Sequence, residues 1–242
     1  MSKKERESYK ALFLDLDGTL LDLDIEKFIP AYLEALSERF DGMISKESFI
    51  GHLFASTAKM VQNSDPGKIN KAVFYEDFCQ RIGYTYDSIK PIIDDFYEKD
   101  FPKLKCWGKE HPHAEKLLNT ARDKNLTLVL ATNPIFPATA VLQRLSWGGI
   151  SDEYFSLITT MENMHFCKPN PEYYREIIEQ LHLEPEDCLM AGNDTLEDTS
   201  ASLIGIDTYL VEDFMLHRGE NSLPAKYSGN LRDLANFIDN LE

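Results

Sequence analysis

The stretch "LFLDLDGTLLD", residues 12–22, places two aspartates directly after a run of apolar residues. The pattern of Leu12–Leu14 predicts a short buried strand, which a Gly-Thr turn signal ends. Asp15 and Asp17 are two residues apart, so on an extended chain their side chains point to the same side. Two like charges held this close favour a cation beside them. Solvated acids at the end of a strand are the ordinary structural alternative.

The second half of the chain alternates strand patterns with helical patterns. Strands are predicted at 126–132, 154–160, 188–192 and 207–211. The helices predicted between and after the strands cover 111–125, 137–147, 170–183, 195–205 and 231–241. Such alternation is typical of a parallel sheet with helices on both faces, whereas residues 24–100 show helical periodicity with no strand between the helices. The sequence therefore predicts an α/β fold, a Rossmann-like doubly wound parallel sheet, with a helical block inserted after the first strand.

Polar residues follow the predicted strands at the edge where doubly wound sheets bind their ligands. After Asp15, Asp17 and Thr19 come Thr132-Asn133, then Lys168-Pro169, then Gly192-Asn193-Asp194 with Glu197 and Asp198. Each of these groups alone is a weak signal. DxDGT followed in order by Thr, Lys and an acidic cluster, each after a separate strand, is a strong one. The pattern predicts a single site where all four groups meet.

This series of motifs resembles the haloacid dehalogenase-like (HAD) hydrolase superfamily. "DLDGTL" at 15–20 matches the first motif of the family, "LATN" at 130–133 the second, "CKPNPEYY" at 167–174 the third and "AGNDTLED" at 191–198 the fourth. By this resemblance, residues 1–21 and 107–242 form the core domain. The helical block 22–106 resembles the family's cap, on its position and helical content alone, because no motif within it matches. The cap is expected to close over the site and to determine substrate specificity.

The resemblance implies phosphoryl transfer to water. Asp15 resembles the nucleophile of the family, which attacks phosphorus and forms an aspartyl-phosphate. Asp17 would protonate the leaving oxygen and then activate the hydrolytic water. Family members that cleave carbon–halogen bonds lack an acid at the second position, so Asp17 favours a phosphatase over a dehalogenase. The expected substrate is a small phosphorylated metabolite.

The other motif residues are expected to hold the phosphate. Gly18 lets the chain turn sharply beside the phosphate, and Thr19 follows. Thr132 and Asn133 can donate hydrogen bonds to phosphate oxygens, although capping of the next helix would also explain them. Lys168 would supply a positive charge for the transition state and for the nucleophile.

Mg²⁺ is the expected cofactor, because a hard cation with oxygen ligands removes the repulsion between a carboxylate and a phosphate. Asp15, the backbone carbonyl of Asp17 and an acid of the fourth motif would hold it. Counting back from Asp198 aligns Asn193 with the usual acid of the family, whereas simple acidity favours Asp194. Asp194 is the preferred ligand, with Asn193 and Asp198 as further ligands or as support behind them.

The composition is that of a globular protein with a strong negative charge. The chain has 242 residues, a hydrophobic content of 43% and a formal net charge of −16. This charge argues against non-specific nucleic-acid binding and against docking to anionic membranes. No bilayer-spanning stretch, secretory signal pattern or CxxC pair is present, so a cytoplasmic protein with reduced thiols is expected. The oligomeric state cannot be read from the sequence.

Two other functions stay open. A phosphomutase or phosphotransferase of the same fold needs an acid or base in the cap that passes the phosphoryl group to a second hydroxyl, and no such residue is identifiable. A non-catalytic binding module would keep the fold without turnover, but the presence of Asp15, Asp17, Lys168 and Asp194 speaks against it.

Overall fold

The computed structural model describes residues 8–241. Residues 1–7, which the sequence assigned to the core domain, and residue 242 lie outside this range. In chain order the elements are β1 (Ala11–Leu14), β2 (Leu21–Leu23), α1 (Ile25–Glu38), α2 (Lys46–Val61), α3 (Asn70–Ile82), α4 (Tyr86–Lys99), β3 (Gly108–Glu110), α5 (Ala114–Asp123), β4 (Thr127–Leu130), α6 (Ala138–Trp147), β5 (Leu157–Ile158), α7 (Pro171–Leu181), β6 (Cys188–Gly192), β7 (Asp207–Val211), β8 (Tyr227–Gly229) and α8 (Leu231–Asp239).

Six strands form one parallel sheet in the order β5-β4-β1-β6-β7-β8. The central strand β1 pairs with β4 on one side and β6 on the other, so that Phe13 lies between Val129 and Met190. Along the chain, β4 and β5 lie on one side of β1, and the later strands β6, β7 and β8 lie on the other side. The carboxyl end of β1 therefore lies at the switch point where such sheets bind ligands. The predicted Rossmann-like, doubly wound α/β fold is confirmed.

Both faces of the sheet are covered, because alternate residues of β1 enter different cores. Leu12 and Leu14 belong to the larger core, which also includes Leu117 of α5 and Leu234 of α8. Ala11 and Phe13 belong to a smaller core on the other face, whose members include Tyr173 and Ile177 of α7. A strand buried on both faces is expected to be continuously apolar, which explains the run of apolar residues before Asp15.

The helical block contains four helices, α1–α4, as its periodicity predicted. Ser45, the residue before α2, accepts a hydrogen bond from the Ser48 amide at 3.3 Å, and Gly83 ends α3 with φ +75°. Aromatic rings join this block to α6, since Phe101 stacks on Trp147 with ring centroids 5.2 Å apart. Among residues 8–241, no helix combines the length and the apolar character needed to cross a membrane.

Three details of the fold differ from the sequence predictions. The segment predicted as a helix over 195–205 contains a turn, in which the Asp194 side chain accepts hydrogen bonds from the next backbone amides, and then a 3₁₀ helix at Thr199–Ile204. The strand predicted over 154–160 is reduced to the two residues of β5. The three-residue strands β2, β3 and β8 were not predicted. β2, at the start of the helical block, pairs antiparallel with β3, which follows the end of the block.

Candidate active site

A cavity of about 300 Å³ lies at the carboxyl end of the sheet, and we call it the acidic cavity. Most of the predicted site residues line it, namely Asp15, Asp17, Gly18, Thr132, Asn133, Asn193, Asp194 and Asp198. Thr19 and Lys168 do not line it: Thr19 is fully buried, and Lys168 lies behind Asp15 with 1% exposure. The four motifs therefore converge, as the sequence predicted, although they contribute to the cavity in different ways.

Lys168 joins two buried carboxylates. Its ammonium lies 3.0 Å from Asp15 Oδ1 and 2.5 Å from Asp198 Oδ1. Burial raises the pKa of Asp15 to about 8, against the opposing effect of the Lys168 charge. Burial alone would lower the pKa of Lys168, but the two carboxylates outweigh it and hold that pKa well above its usual value. Asp15 thus carries a fixed positive partner while its Oδ2 has no hydrogen-bond donor within residues 8–241.

At two glycines, the backbone of the site lies against side chains of the fourth motif. The Asp15 amide donates to the Ala191 carbonyl at 3.0 Å, so β1 and β6 stay paired up to the site. A Cβ atom on Gly192 would overlap the Asp198 carboxylate, and a Cβ on Gly18, where φ is +81°, would overlap the Asn193 amide. Glycine is therefore required at both places, at Gly18 also because of its left-handed backbone.

Asp17 is paired with an arginine that no sequence motif indicated as a site residue. Arg144 of α6 contacts the Asp17 carboxylate, and its guanidinium lies 4.4 Å from the centroid of the Phe136 ring. Arg144 is only 1% exposed. Burial raises the pKa of Asp17, and the nearby Arg144 charge opposes this rise. In the sequence, Arg144 stands one residue before Leu145 within the apolar pattern of α6. A charged residue at such a position is easily interpreted as exposed to solvent.

The pairing of Asp17 with Arg144 predicts strong energetic coupling. Arg144→Met should lower the free energy of unfolding by about 3 kcal/mol, because it leaves a largely buried carboxylate without its partner. The double variant Arg144→Met/Asp17→Asn should lose less than the sum of the single losses, with a coupling energy of about 1–3 kcal/mol. Urea unfolding of the four proteins in the cycle measures this energy. Additive losses would mean that the two side chains are energetically independent.

Thr132 and Asn133 lie shortly after the end of β4 and line the acidic cavity. The Thr132 carbonyl accepts hydrogen bonds from the hydroxyls of Thr159, at 2.7 Å, and Tyr173, at 3.0 Å. Asn133 Nδ2 donates to Glu197 Oε2 at 3.0 Å, and burial raises the pKa of Glu197 to about 6. These contacts fix the backbone after β4 and leave the Thr132 side chain at the cavity surface.

The two candidate residues of the fourth motif differ in their contacts. Both oxygens of Asp194 are engaged, Oδ1 by the backbone amides of Leu196 and Glu197 and Oδ2 by Arg218, whose Nε lies 2.7 Å away. Asn193 Nδ2 donates to a backbone carbonyl at 2.6 Å, but its Oδ1 accepts no hydrogen bond from residues 8–241. The amide oxygen of Asn193 is therefore the freer donor atom toward a cation.

A metal fits the chemistry of the site only in part. No group of three His, Cys, Asp or Glu side chains in the described part of the chain is arranged to hold a metal ion. Nevertheless, Asp15 Oδ2 and Asn193 Oδ1 are oxygen atoms at one cavity that accept no hydrogen bond from residues 8–241, and oxygen is the ligand type that Mg²⁺ prefers. Carboxylate, amide and carbonyl oxygens of the first and fourth motifs can thus supply the ligands.

Comparison with known proteins finds relatives over most of the chain. The sequence profile of haloacid dehalogenase-like hydrolases matches residues 9–201. A phosphoserine phosphatase of Thermus thermophilus is 24% identical over 93% of this chain and 97% of its own. The solved L-2-haloacid dehalogenase of Xanthobacter autotrophicus has a TM-score of 0.59 at 15% identity, covering 97% and 100% of the two chains. The putative HAD hydrolase YfnB of Bacillus subtilis, solved with bound magnesium, has a TM-score of 0.57 at 20% identity, with the same coverage.

The fold, the four converging motifs and the profile match define a hydrolase. The chain belongs to the haloacid dehalogenase-like hydrolase family, because the family profile covers most of its length. It is similar to curated phosphatases of the family over most of the chain, and the solved neighbours share its fold.

Proposed function

We propose that the protein is a Mg²⁺-dependent phosphatase that hydrolyses a small phosphorylated metabolite through an aspartyl-phosphate on Asp15. The observation that carries the proposal is the buried pair of Asp15 and Lys168, 3.0 Å apart, with Asp17 at the same cavity. This arrangement offers an attacking carboxylate, a positive charge and a second acid. The curated relatives named as phosphoserine phosphatase, pyrophosphatase and putative phosphatase support phosphoryl chemistry.

The proposed reaction has two steps. Asp15 attacks phosphorus as the bond from phosphorus to the ester oxygen breaks, and Asp17 gives its proton to that oxygen. A water molecule then attacks the phosphorus of the aspartyl-phosphate, Asp17 takes a proton from it, and the carboxylate of Asp15 is restored. Lys168 stabilises negative charge throughout, while Thr132 and Asn133 orient the phosphate oxygens.

Mg²⁺ would be held by Asp15, the backbone carbonyl of Asp17 and an oxygen of the fourth motif. When bound, the ion would neutralise charge between carboxylate and phosphate and favour ionised Asp15, whose pKa burial otherwise raises. Asn193 offers a free oxygen, whereas Asp194 would have to exchange Arg218 for the ion. Asp198 supports the site from behind through Lys168 and the Asp194 amide. The magnesium-bound YfnB relative agrees with this choice of cation.

Metal removal provides the first test of this arrangement. EDTA should abolish activity, Mg²⁺ should restore it, and Ca²⁺ should restore it poorly because its larger radius and looser geometry misplace the phosphate. Full activity in metal-free enzyme would contradict a role for the cation. Comparing Asn193→Ala with Asp194→Asn identifies the ligand, since only loss of the true ligand should raise the Mg²⁺ concentration needed for half-maximal activity.

The helical block fits the role of a cap. We assign residues 22–106 to this cap and residues 1–21 and 107–242 to the core, with the cap closing over the acidic cavity. Its contributions to the lining are Leu23, Ile25 and Ile29. None of these is an acid or base that could pass a phosphoryl group to a second hydroxyl, which supports hydrolysis over a mutase reaction. A cytoplasmic location stays a prediction.

The proposed activity has a direct assay. Release of p-nitrophenol from p-nitrophenyl phosphate, measured with and without Mg²⁺, should show metal-dependent turnover. Binding of phosphate esters without any turnover would instead indicate a non-catalytic binding module.

A further inference from the structure

A second cavity, of about 120 Å³, lies beside the acidic cavity, between helices of the cap and the loop after β4. We call it the apolar cavity. Ile29, Ile135 and Phe136 line both cavities. Phe136 marks the boundary, because its ring has the Arg144 guanidinium at 4.4 Å on the acidic side and the Tyr32 ring at 5.5 Å on the apolar side. The two cavities are therefore adjacent, which places the apolar cavity beside the site proposed for the phosphate.

The lining of the apolar cavity contains no charged side chain within residues 8–241. Its few hydroxyls are mostly paired already. Tyr32 and Tyr97 share a hydrogen bond of 3.0 Å, and Thr57 Oγ1 donates to the Leu53 carbonyl at 2.9 Å. The other hydroxyl, that of Tyr75, belongs to a residue that also lines a third, adjoining cavity. A polyol in this space would place its hydroxyls against apolar side chains and away from water, which is unfavourable.

The size of the apolar cavity limits what it can hold. A dry apolar cavity of about 150 Å³ is enough for benzene in a protein core. At about 120 Å³, the apolar cavity matches one six-membered ring or a chain of about six carbons. Both the volume and the apolar lining of this cavity therefore favour a small hydrocarbon group.

We propose that the substrate is a phosphomonoester of an apolar alcohol, with its phosphate at Asp15 and its hydrocarbon part in the apolar cavity. This inference rests on the proposed phosphatase activity and narrows its substrate class. It separates the protein from the relative named as phosphoserine phosphatase, because the described residues place no charged group in the apolar cavity that could pair with the ammonium and carboxylate of such a substrate. The apolar cavity sets specificity through burial of hydrocarbon.

The test is a series of linear alkyl phosphates from methyl to octyl, with release of inorganic phosphate as the readout. The leaving alcohols hardly differ in acidity, so differences in kcat/KM report burial of the chain. We expect kcat/KM to rise about fourfold per methylene and to level off near about six carbons. Glycerol 1-phosphate should fall about tenfold or more below propyl phosphate, because its two free hydroxyls lose their water partners.

A variant whose larger side chain fills the apolar cavity provides the comparison with the wild-type enzyme. Leu33→Trp places a larger side chain at the lining and should remove most of the rise with chain length, while turnover of methyl phosphate stays near that of the wild type. Leu142→Trp is the control, since Leu142 is 40% exposed on α6 and lies away from the apolar cavity. It should keep the full dependence on chain length. Turnover of methyl phosphate also reports whether each variant is folded.

Different experimental outcomes would contradict different parts of the proposal. A flat alkyl series in the wild-type enzyme, or glycerol 1-phosphate turned over as well as propyl phosphate, would overturn the apolar substrate and leave the phosphatase intact. A chain-length dependence that persists in folded Leu33→Trp would overturn the assignment to this cavity. If that variant does not fold, Leu53→Trp fills the same cavity from α2. No phosphate release from any ester, p-nitrophenyl phosphate included, would overturn the phosphatase itself.

Discussion

Asp15→Asn is expected to reduce phosphatase activity by about 10⁴-fold or more, to the background level. The substitution keeps the size of the side chain and its contact with Lys168 but removes the charge that attacks phosphorus. The fold should persist, because Lys168 keeps its second carboxylate, Asp198, at 2.5 Å. Steady-state turnover of p-nitrophenyl phosphate measures the loss, and thermal unfolding checks the fold.

An exposed aspartate supplies the control for this variant. Asp41→Asn makes the same chemical change in the loop between α1 and α2, away from the acidic cavity, and should leave turnover unchanged. If Asp15→Asn hydrolysed esters at the wild-type rate, covalent catalysis by Asp15 would be excluded.

Asp17→Asn is expected to lower the rate by about 10² to 10⁴, the usual contribution of a general acid. The loss should be greatest for alkyl phosphates, whose leaving oxygen needs a proton. It should be smaller for p-nitrophenyl phosphate, whose leaving group departs as a stable anion. The ratio of the two losses, measured as kcat/KM, reports proton donation directly.

The metal dependence of the same variant separates chemistry from ligand binding. Asp17→Asn keeps the backbone carbonyl proposed to hold Mg²⁺, so the half-maximal Mg²⁺ concentration should stay near that of the wild type. An equal loss for both kinds of ester, together with a raised Mg²⁺ requirement, would show that Asp17 acts on the metal and not on the leaving oxygen.

The sequence could predict the sheet and the convergence of the motifs because both follow from local pattern. Buried strands are apolar throughout, and parallel topology brings their carboxyl ends to one edge. Asp15, Thr132 and Asn193 therefore met at one cavity as expected. The strands β2, β3 and β8 have three residues each, which is too short for a period of two to be visible.

The features that the sequence could not predict all depend on tertiary contacts. Arg144 reaches Asp17 from a helix 127 positions further along the chain, and Arg218 reaches Asp194 from a loop. The apolar cavity combines aromatic residues from α1–α4 and the loop after α1 with Phe136, which follows β4. In sequence, those aromatics are typical of helix cores, and only the packing of α1–α4 beside the loop after β4 leaves a space between them.

The central claim, a phosphoryl group carried by Asp15, is tested most directly by trapping the intermediate in Asp17→Asn. With p-nitrophenyl phosphate, the first step needs little acid help, whereas the second lacks the base that activates water, so the phosphorylated enzyme should accumulate. Acid quenching within a single turnover, proteolysis and mass spectrometry should find one phosphoryl group on the peptide that contains Asp15. A phosphoryl group on another residue, or p-nitrophenol release with no phosphorylated peptide at any time, would contradict the account.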